Sequence, residues 1–194
     1  EINYEEMLEL SSLGARVLHT RSVQLALKYD VKLQVLSSFT GKKGTMLIKK
    51  NAYLEKQIIR GIAHSNNETL ITLIDIKNKP GISATIFNAL SKENINVDMI
   101  VQSGSAKEAN VTYAFTISKT DAKKAENIMN KLKSKIKFND IFINNDICKV
   151  SIVGLGMKTN VGVANTMFTE LAKNNINIHV ISTSEIKISV LIDE

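Results

Sequence analysis

Residues 81–96 read GISATIFNALSKENIN, and residues 162–177 read GVANTMFTELAKNNIN. Aligned at an offset of 81, the two stretches share eight of sixteen residues: Gly81/Gly162, Thr85/Thr166, Phe87/Phe168, Leu90/Leu171, Lys92/Lys173, Asn94/Asn175, Ile95/Ile176 and Asn96/Asn177. Ordinary residue frequencies give roughly one match by chance. Upstream, Ile71-Thr72-Leu73-Ile74 matches Val150-Ser151-Ile152-Val153 at an offset of 79, so the second strand-to-helix turn is longer by two residues. One module therefore occurs twice, and its local reading fixes the fold.

Within the first copy, Pro80-Gly81 opens a helix with Ile82, Ile86, Ala89 and Leu90 on one face, the spacing of a helical stripe. Before it, Ile58–Ala63 and Thr69–Ile76 are strand-like, separated by the turn-forming Ser65-Asn66-Asn67. After it, Asn96–Gln102 is a strand, and Val111, Tyr113, Phe115 and Ile117 alternate as a half-buried strand does. Thr120 or Asp121 can cap a helix bearing Ala125, Met129 and Leu132, and Phe138–Ile143 closes the unit. The order strand, helix, strand, strand, helix, strand is the split βαβ of ferredoxin-like folds, an α+β class. The second copy supplies strands over Asn177–Thr183 and Ile186–Ile192 but no second helix before Glu194, and Ile58–Ala63 can stand in for its missing strand. Ahead of both copies, helical segments over Tyr4–Leu13 and Val17–Tyr29 and a strand over Leu33–Leu36 form a separate piece.

Composition narrows the function classes. No run approaches the ~18 apolar residues of a membrane span, and residues 1–6, EINYEE, carry no signal-peptide pattern. Cys148 is the single cysteine, which excludes an internal disulfide and a cysteine-rich zinc site and fits a cytoplasmic setting. His19, His64 and His179 lack ligand spacing, so no metal is expected. Gly154-Leu155-Gly156 is only part of a dinucleotide fingerprint and belongs to the repeat. The net charge of +6 raises nucleic acid as a partner. The lysines from Lys119 to Lys137 instead read as a solvated helix face, and aromatic residues are 5% with no stacking cluster, so no nucleic-acid role is expected.

Seven strings carry a family resemblance. Tyr4–Leu18 (YEEMLELSSLGARVL), Thr20-Arg21-Ser22-Val23 and Val35–Phe39 resemble the end of an aspartate kinase catalytic domain. Gly61-Ile62-Ala63-His64, Lys79-Pro80-Gly81, Ile95–Gln102 (INVDMIVQ) and Ile181–Val190 (ISTSEIKISV) resemble that family's tandem ACT domains. The resemblance implies this division: 1–40, the end of the amino-acid-kinase domain; 41–57, a linker; 58–67, a strand completing the second ACT domain; 68–148, the first ACT domain; 149–194, the second, short of its last helix. It further implies an enzyme that phosphorylates L-aspartate with ATP and Mg²⁺, inhibited by lysine, threonine or both at ACT–ACT interfaces. The exposed strand edges of incomplete modules invite pairing between chains, so a homodimer joined through ACT domains is expected. The family's nucleotide motif is missing and no glycine-rich phosphate loop replaces it, so this chain alone is expected to be inactive. The absent initiator Met and abrupt ends point to a piece of a longer chain.

An amino-acid ligand presents a carboxylate and an ammonium, and both need partners once water leaves. The backbone donors of a helix N-terminus suit the carboxylate. The turn Asn78–Ser83 offers them, with Gly81 permitting close approach. The ammonium needs acceptors: Asp98, or the carbonyls of Asn78 or Gln102. The resemblance places these positions and Ile95 in an effector site, to which the second copy adds Met157, Asn177, Ile178 and Ser184. Asp98 and Gln102, on one strand face and about 13 Å apart, serve opposite ends of one ligand or two ligands. A plain Pro-Gly turn and a solvated Asp98 are the simpler readings. Asn78, where the family often has Asp, weakens the grip on an ammonium, and Val161, where it often has Pro, leaves the second turn less rigid. Two rival readings remain: an ACT module that assembles subunits without a ligand, and, disfavoured by the missing aromatic cluster, a DNA-binding regulator.

Overall fold

The computed structural model describes residues 1–15, 17–49, 57–104 and 109–194. The chain divides into unit 1, residues 1–65 with 149–192, and unit 2, residues 66–148 with 193–194. The division falls inside two long strands, β4 (Gly61–Lys77) and β7 (Asp140–Val153).

Unit 2 is built from β4, α3 (Ile82–Lys92), β5 (Val97–Ser103), β6 (Asn110–Ile117), α4 (Ala122–Ile136) and β7. Its strands lie in the order β5-β6-β4-β7, with β6 antiparallel to both β4 and β5. This is the ferredoxin-like order expected of βαββαβ. Ile71, Leu73, Ile76, Val111, Tyr113, Phe115 and Ile117 come from the strands. They meet Ile86 and Leu90 of α3 and Ala125, Met129 and Ile136 of α4 in one core. Phe115 is crossed edge-on by Phe87, centroids 5.6 Å apart. The exposed lysines of α4 face water, and Lys123 and Lys124 pair with Glu126 and Glu93.

Unit 1 holds α1 (Tyr4–Ser12) and α2 (Thr20–Tyr29) over a small sheet ordered β1-β3-β2: β1 (Ile2–Asn3), β3 (Thr45–Ile48) and β2 (Leu33–Val35). Met7, Leu10, Val23, Ala26 and Leu47 form its core together with Ala63 and Val153. The second module follows: β7, α5 (Val163–Lys173), β8 (Val180–Thr183) and β9 (Lys187–Asp193). The order β4-β7-β9-β8 puts β4 in the position of a fourth strand.

The repeated residues perform the same backbone tasks in both modules. Gly81 and Gly162 sit at φ 90°, a left-handed turn that opens α3 and α5. Thr85 and Thr166 donate their hydroxyls back to those glycine carbonyls at 2.9 and 3.2 Å. At the far ends Asn94 and Asn175 take φ 58° and 56°. Ile95 N–H donates to the Leu90 carbonyl and Ile176 N–H to Leu171, the Schellman closure of a helix. Burial differs between the copies. Ile86 and Leu90 are fully buried, whereas α5 has no buried residue, and Ile95 is 4% exposed against 38% for Ile176.

Three expectations are corrected. Ser65-Asn66-Asn67 is extended inside β4 rather than a turn. Asn67 Nδ2 donates to Ser118 Oγ at 3.0 Å, and the nearby Thr69 Oγ1 donates to Asn145 Oδ1 on β7 at 2.6 Å. The segment read as a linker contains β3, whose Leu47 is fully buried between Ile2 and Leu33; residues 50–56 of that segment lie outside the described residues. Asp121 takes the N-cap position of α4, one of the two expected, but makes no side-chain cap bond; Ser118 instead accepts from Thr120 N–H and caps the short 3-10 turn Lys119–Asp121 ahead of it.

Candidate functional site

In unit 2 the turn after β4 is held at its start, where Asn78 N–H donates to the Ala109 carbonyl at 2.8 Å. No side chain caps α3, so its first turn keeps backbone donors for a ligand. A Cβ on Gly81 would meet nothing within 4 Å. The glycine answers a backbone angle, and the space beside it is open. Ser83 is not idle: its hydroxyl is 2.8 Å from that of Tyr113, and Tyr113 stands opposite Gln102 in the β5–β6 pairing. Ser83 and Gln102 are thus gathered by a tyrosine that the residue pattern offered only as one member of an alternating strand. Its signal was chemical, since a buried phenol needs a partner for its hydroxyl.

Asp98 is exposed on β5. The expectation that it shares a face with Gln102 fails, because the pairing shifts between Val97 and Ile100. That bulge aligns Val97, Ile100 and Gln102 with Ile117, Phe115 and Tyr113, and breaks the alternation at Asp98. Ile95 lies in the core just past the C-terminal end of α3, the end away from the turn.

In unit 1, Met157 is half-buried in the 3-10 turn Leu155–Lys158, its N–H donating to the Gly154 carbonyl at 3.2 Å. Ser184 is exposed in the β8–β9 turn, with its N–H on the Lys187 carbonyl at 2.8 Å. The two turns are tied by their neighbours, Lys158 Nζ lying 2.7 Å from Glu185 Oε2. Asn177 is exposed and Ile178 half-buried between α5 and β8. Lys158, by hydrogen bond and charge, holds the Glu185 carboxyl below its ordinary value. A carboxylate with a lowered pKa stabilises the fold above its unfolded pKa and stops doing so as pH falls through the folded one. The Glu185 side-chain carboxyl should therefore titrate in NMR below free glutamate, and Lys158→Ala should move its midpoint back up.

A cavity of about 500 Å³ in unit 2 is lined by Asp75, Ser103, Asn110, Thr112, Asn139 and Asp140 among others, and by none of the ten expected site residues. Asp75 sits there at φ 64°, at the irregularity between Leu73 and Ile76, and Asn110 and Asn139 donate their amides to its two oxygens. Among the described residues no group of three His, Cys, Asp or Glu could hold a metal, and no helix is long and apolar enough to cross a membrane.

The ACT domain model matches residues 71–132 and 150–194. An aspartokinase of Helicobacter pylori is 44% identical over 197 residues, covering all of this chain and 48% of that protein. The chain belongs to the aspartate kinase family. It is an ACT regulatory region of that family, and it spans about half the length of the curated relatives it matches. The regulatory subunit of Thermus thermophilus aspartate kinase, solved ligand-free, is 36% identical with a TM-score of 0.66, over 71% of this chain and 89% of that one. E. coli aspartokinase III, solved in complex with lysine and aspartate in its T-state, is 25% identical with a TM-score of 0.75, over 99% of this chain and 42% of that one.

Proposed function

We propose that this ACT region senses an end-product amino acid, lysine, threonine or both, and passes its occupancy to a kinase that phosphorylates L-aspartate with ATP. The observation that carries the reading is the pair of uncapped helices opened by left-handed glycines, Gly81 and Gly162, with open space beside each glycine. Each opening can take a carboxylate on backbone donors. To the first site we assign Asn78, Ser83, Ile95, Asp98 and Gln102, and to the second Met157, Asn177, Ile178 and Ser184. The E. coli enzyme solved with lysine supports lysine as a ligand. The chain's own residues do not fit ATP and Mg²⁺, because no glycine-rich phosphate loop is present in the sequence. We therefore assign phosphoryl transfer to the whole protein and none to this chain alone.

The edge position of β5 and the exposure of Ile100 on it (51%) support a homodimer in which ACT modules of two chains meet and build the site together. Calorimetric titration with lysine and with threonine tests the reading. Asp98→Ala and Gln102→Ala should each weaken binding about tenfold, the loss of one charge-assisted or buried hydrogen bond. Heat from neither amino acid at millimolar concentration, with a dimer that forms regardless, would leave the assembly role instead.

A further inference from the structure

Glu6 is a carboxylate with no exposed surface. It sits three residues past the Asn3 N-cap of α1, and Asn3 N–H donates to its Oε2 at 3.2 Å, the reciprocal half of a capping box. Capping alone leaves such a residue at the surface. Here the same oxygen faces Arg60 Nε at 3.5 Å, and the other oxygen accepts from Leu155 N–H at 2.9 Å, across 149 positions of sequence. Leu155 begins the 3-10 turn that carries Met157. One helical turn on, Glu9 pairs with Lys187 at 3.0 Å, beside the β8–β9 turn that carries Ser184. Two carboxylates on one face of α1 thus hold both turns around the second module's opening, and Arg60 joins through its own N–H, which donates to the Val153 carbonyl at 2.7 Å.

We propose that Glu6 is a positioning residue that fixes the Leu155–Lys158 turn to α1, so that an amino acid bound at that turn is felt in α1. The inference rests on the amino-acid-sensing reading. It adds the route by which occupancy leaves the module: a turn, one buried carboxylate, and the N-terminus of a helix. A buried charge is stable only while its partners stay, so a shift of the turn must be followed by Glu6, and a shift of Glu6 removes the acceptor from Asn3.

Hydrogen exchange on the intact chain, with and without saturating lysine or threonine, tests it. In the unmodified chain the ligand should slow exchange over Leu155–Lys158 and over Tyr4–Ser12 together. Glu6→Gln keeps an oxygen for Leu155 and removes the charge facing Arg60. It should still bind the amino acid while α1 no longer responds. Glu6→Ala strands the Leu155 N–H and should weaken binding about tenfold, the usual scale for a buried donor left unpaired. A purely structural role would lower the melting midpoint of both variants yet leave the α1 response of Glu6→Gln intact, and that result overturns the proposal. So does an unmodified chain whose turn responds while α1 does not. If neither amino acid slows exchange anywhere, the sensing reading fails and takes this one with it, an outcome distinct from a turn that responds alone.

Discussion

Gly154→Ala is expected to cost unit 1 about 3 kcal/mol or more, at the upper end of what overpacking does. Gly154 is extended, at φ 179°, so any residue could adopt its backbone. The obstacle is space. A Cβ there would lie 2.1 Å from the Ile58 carbonyl oxygen and 2.9 Å from Ile59 Cα. Both are backbone atoms, in a segment pinned by the Arg60 N–H bond to Val153, and Gly154 N–H is itself bonded to Ile186 at 2.9 Å. No side chain can rotate away to relieve the clash. Gly81→Ala is the matched contrast: it meets open space but must hold φ 90°, which costs roughly 1–2 kcal/mol. Urea denaturation of both variants separates them. Near-equal midpoints would mean that residues 58–60 are not fixed against the second module's turn.

The glycines divide by how far away in sequence their constraint lies. Gly81 and Gly162 were visible because the repeat displays them twice, each two residues or fewer from a helix whose apolar spacing is local. The fold followed from such local signals: alternation in Val111–Ile117, the helical stripe in Ile82–Leu90, and the second copy as an internal check. Gly154 was also visible, but as a fragment of a phosphate-binding pattern, because its true constraint is Ile58, 96 positions away in sequence. Glu6 follows the same logic. Its capping box with Asn3 could be found by spacing, whereas its bond to Leu155 could not. The strand β3 was missed because four residues gain their stability from Ile2 and Leu33, not from their own pattern. Ser65-Asn66-Asn67 differs in the other direction: turn-formers by type, they run extended within β4, where Asn67 bonds Ser118 just past β6 and the adjacent Thr69 bonds Asn145 of β7. For the site, the Pro-Gly turn carries Ser83 and the family resemblance carries Gln102, but Tyr113, which stands beside both, and the bulge at Asp98 are products of strand pairing.

Leu90→Ala should destabilise unit 2 by about 3 kcal/mol, within the range for a fully buried leucine, while Leu171→Ala, at the equivalent position of the second copy, should cost well under half as much. The two leucines occupy the same place in the repeat, accept the same Schellman hydrogen bond, from Ile95 and Ile176, and belong to helices of equal length, 11 residues each. Helix propensity and capping therefore cancel in the comparison. What differs is the surroundings. Leu90 lies in a core shared with Ile86, Phe115, Ala125 and Met129 and is fully buried; Leu171 is half-buried on a helix with no buried residue. Removing Leu90 leaves a cavity walled by residues from α4 and the sheet, which relax only in part. Removing Leu171 leaves a dent that water can fill. Calorimetric or denaturant unfolding of each variant at the concentration of the unmodified chain gives the two costs directly. Equal costs would mean that the apolar face of α5 is covered in solution, and the Leu171→Ala cost would then fall on dilution if the cover is a second chain.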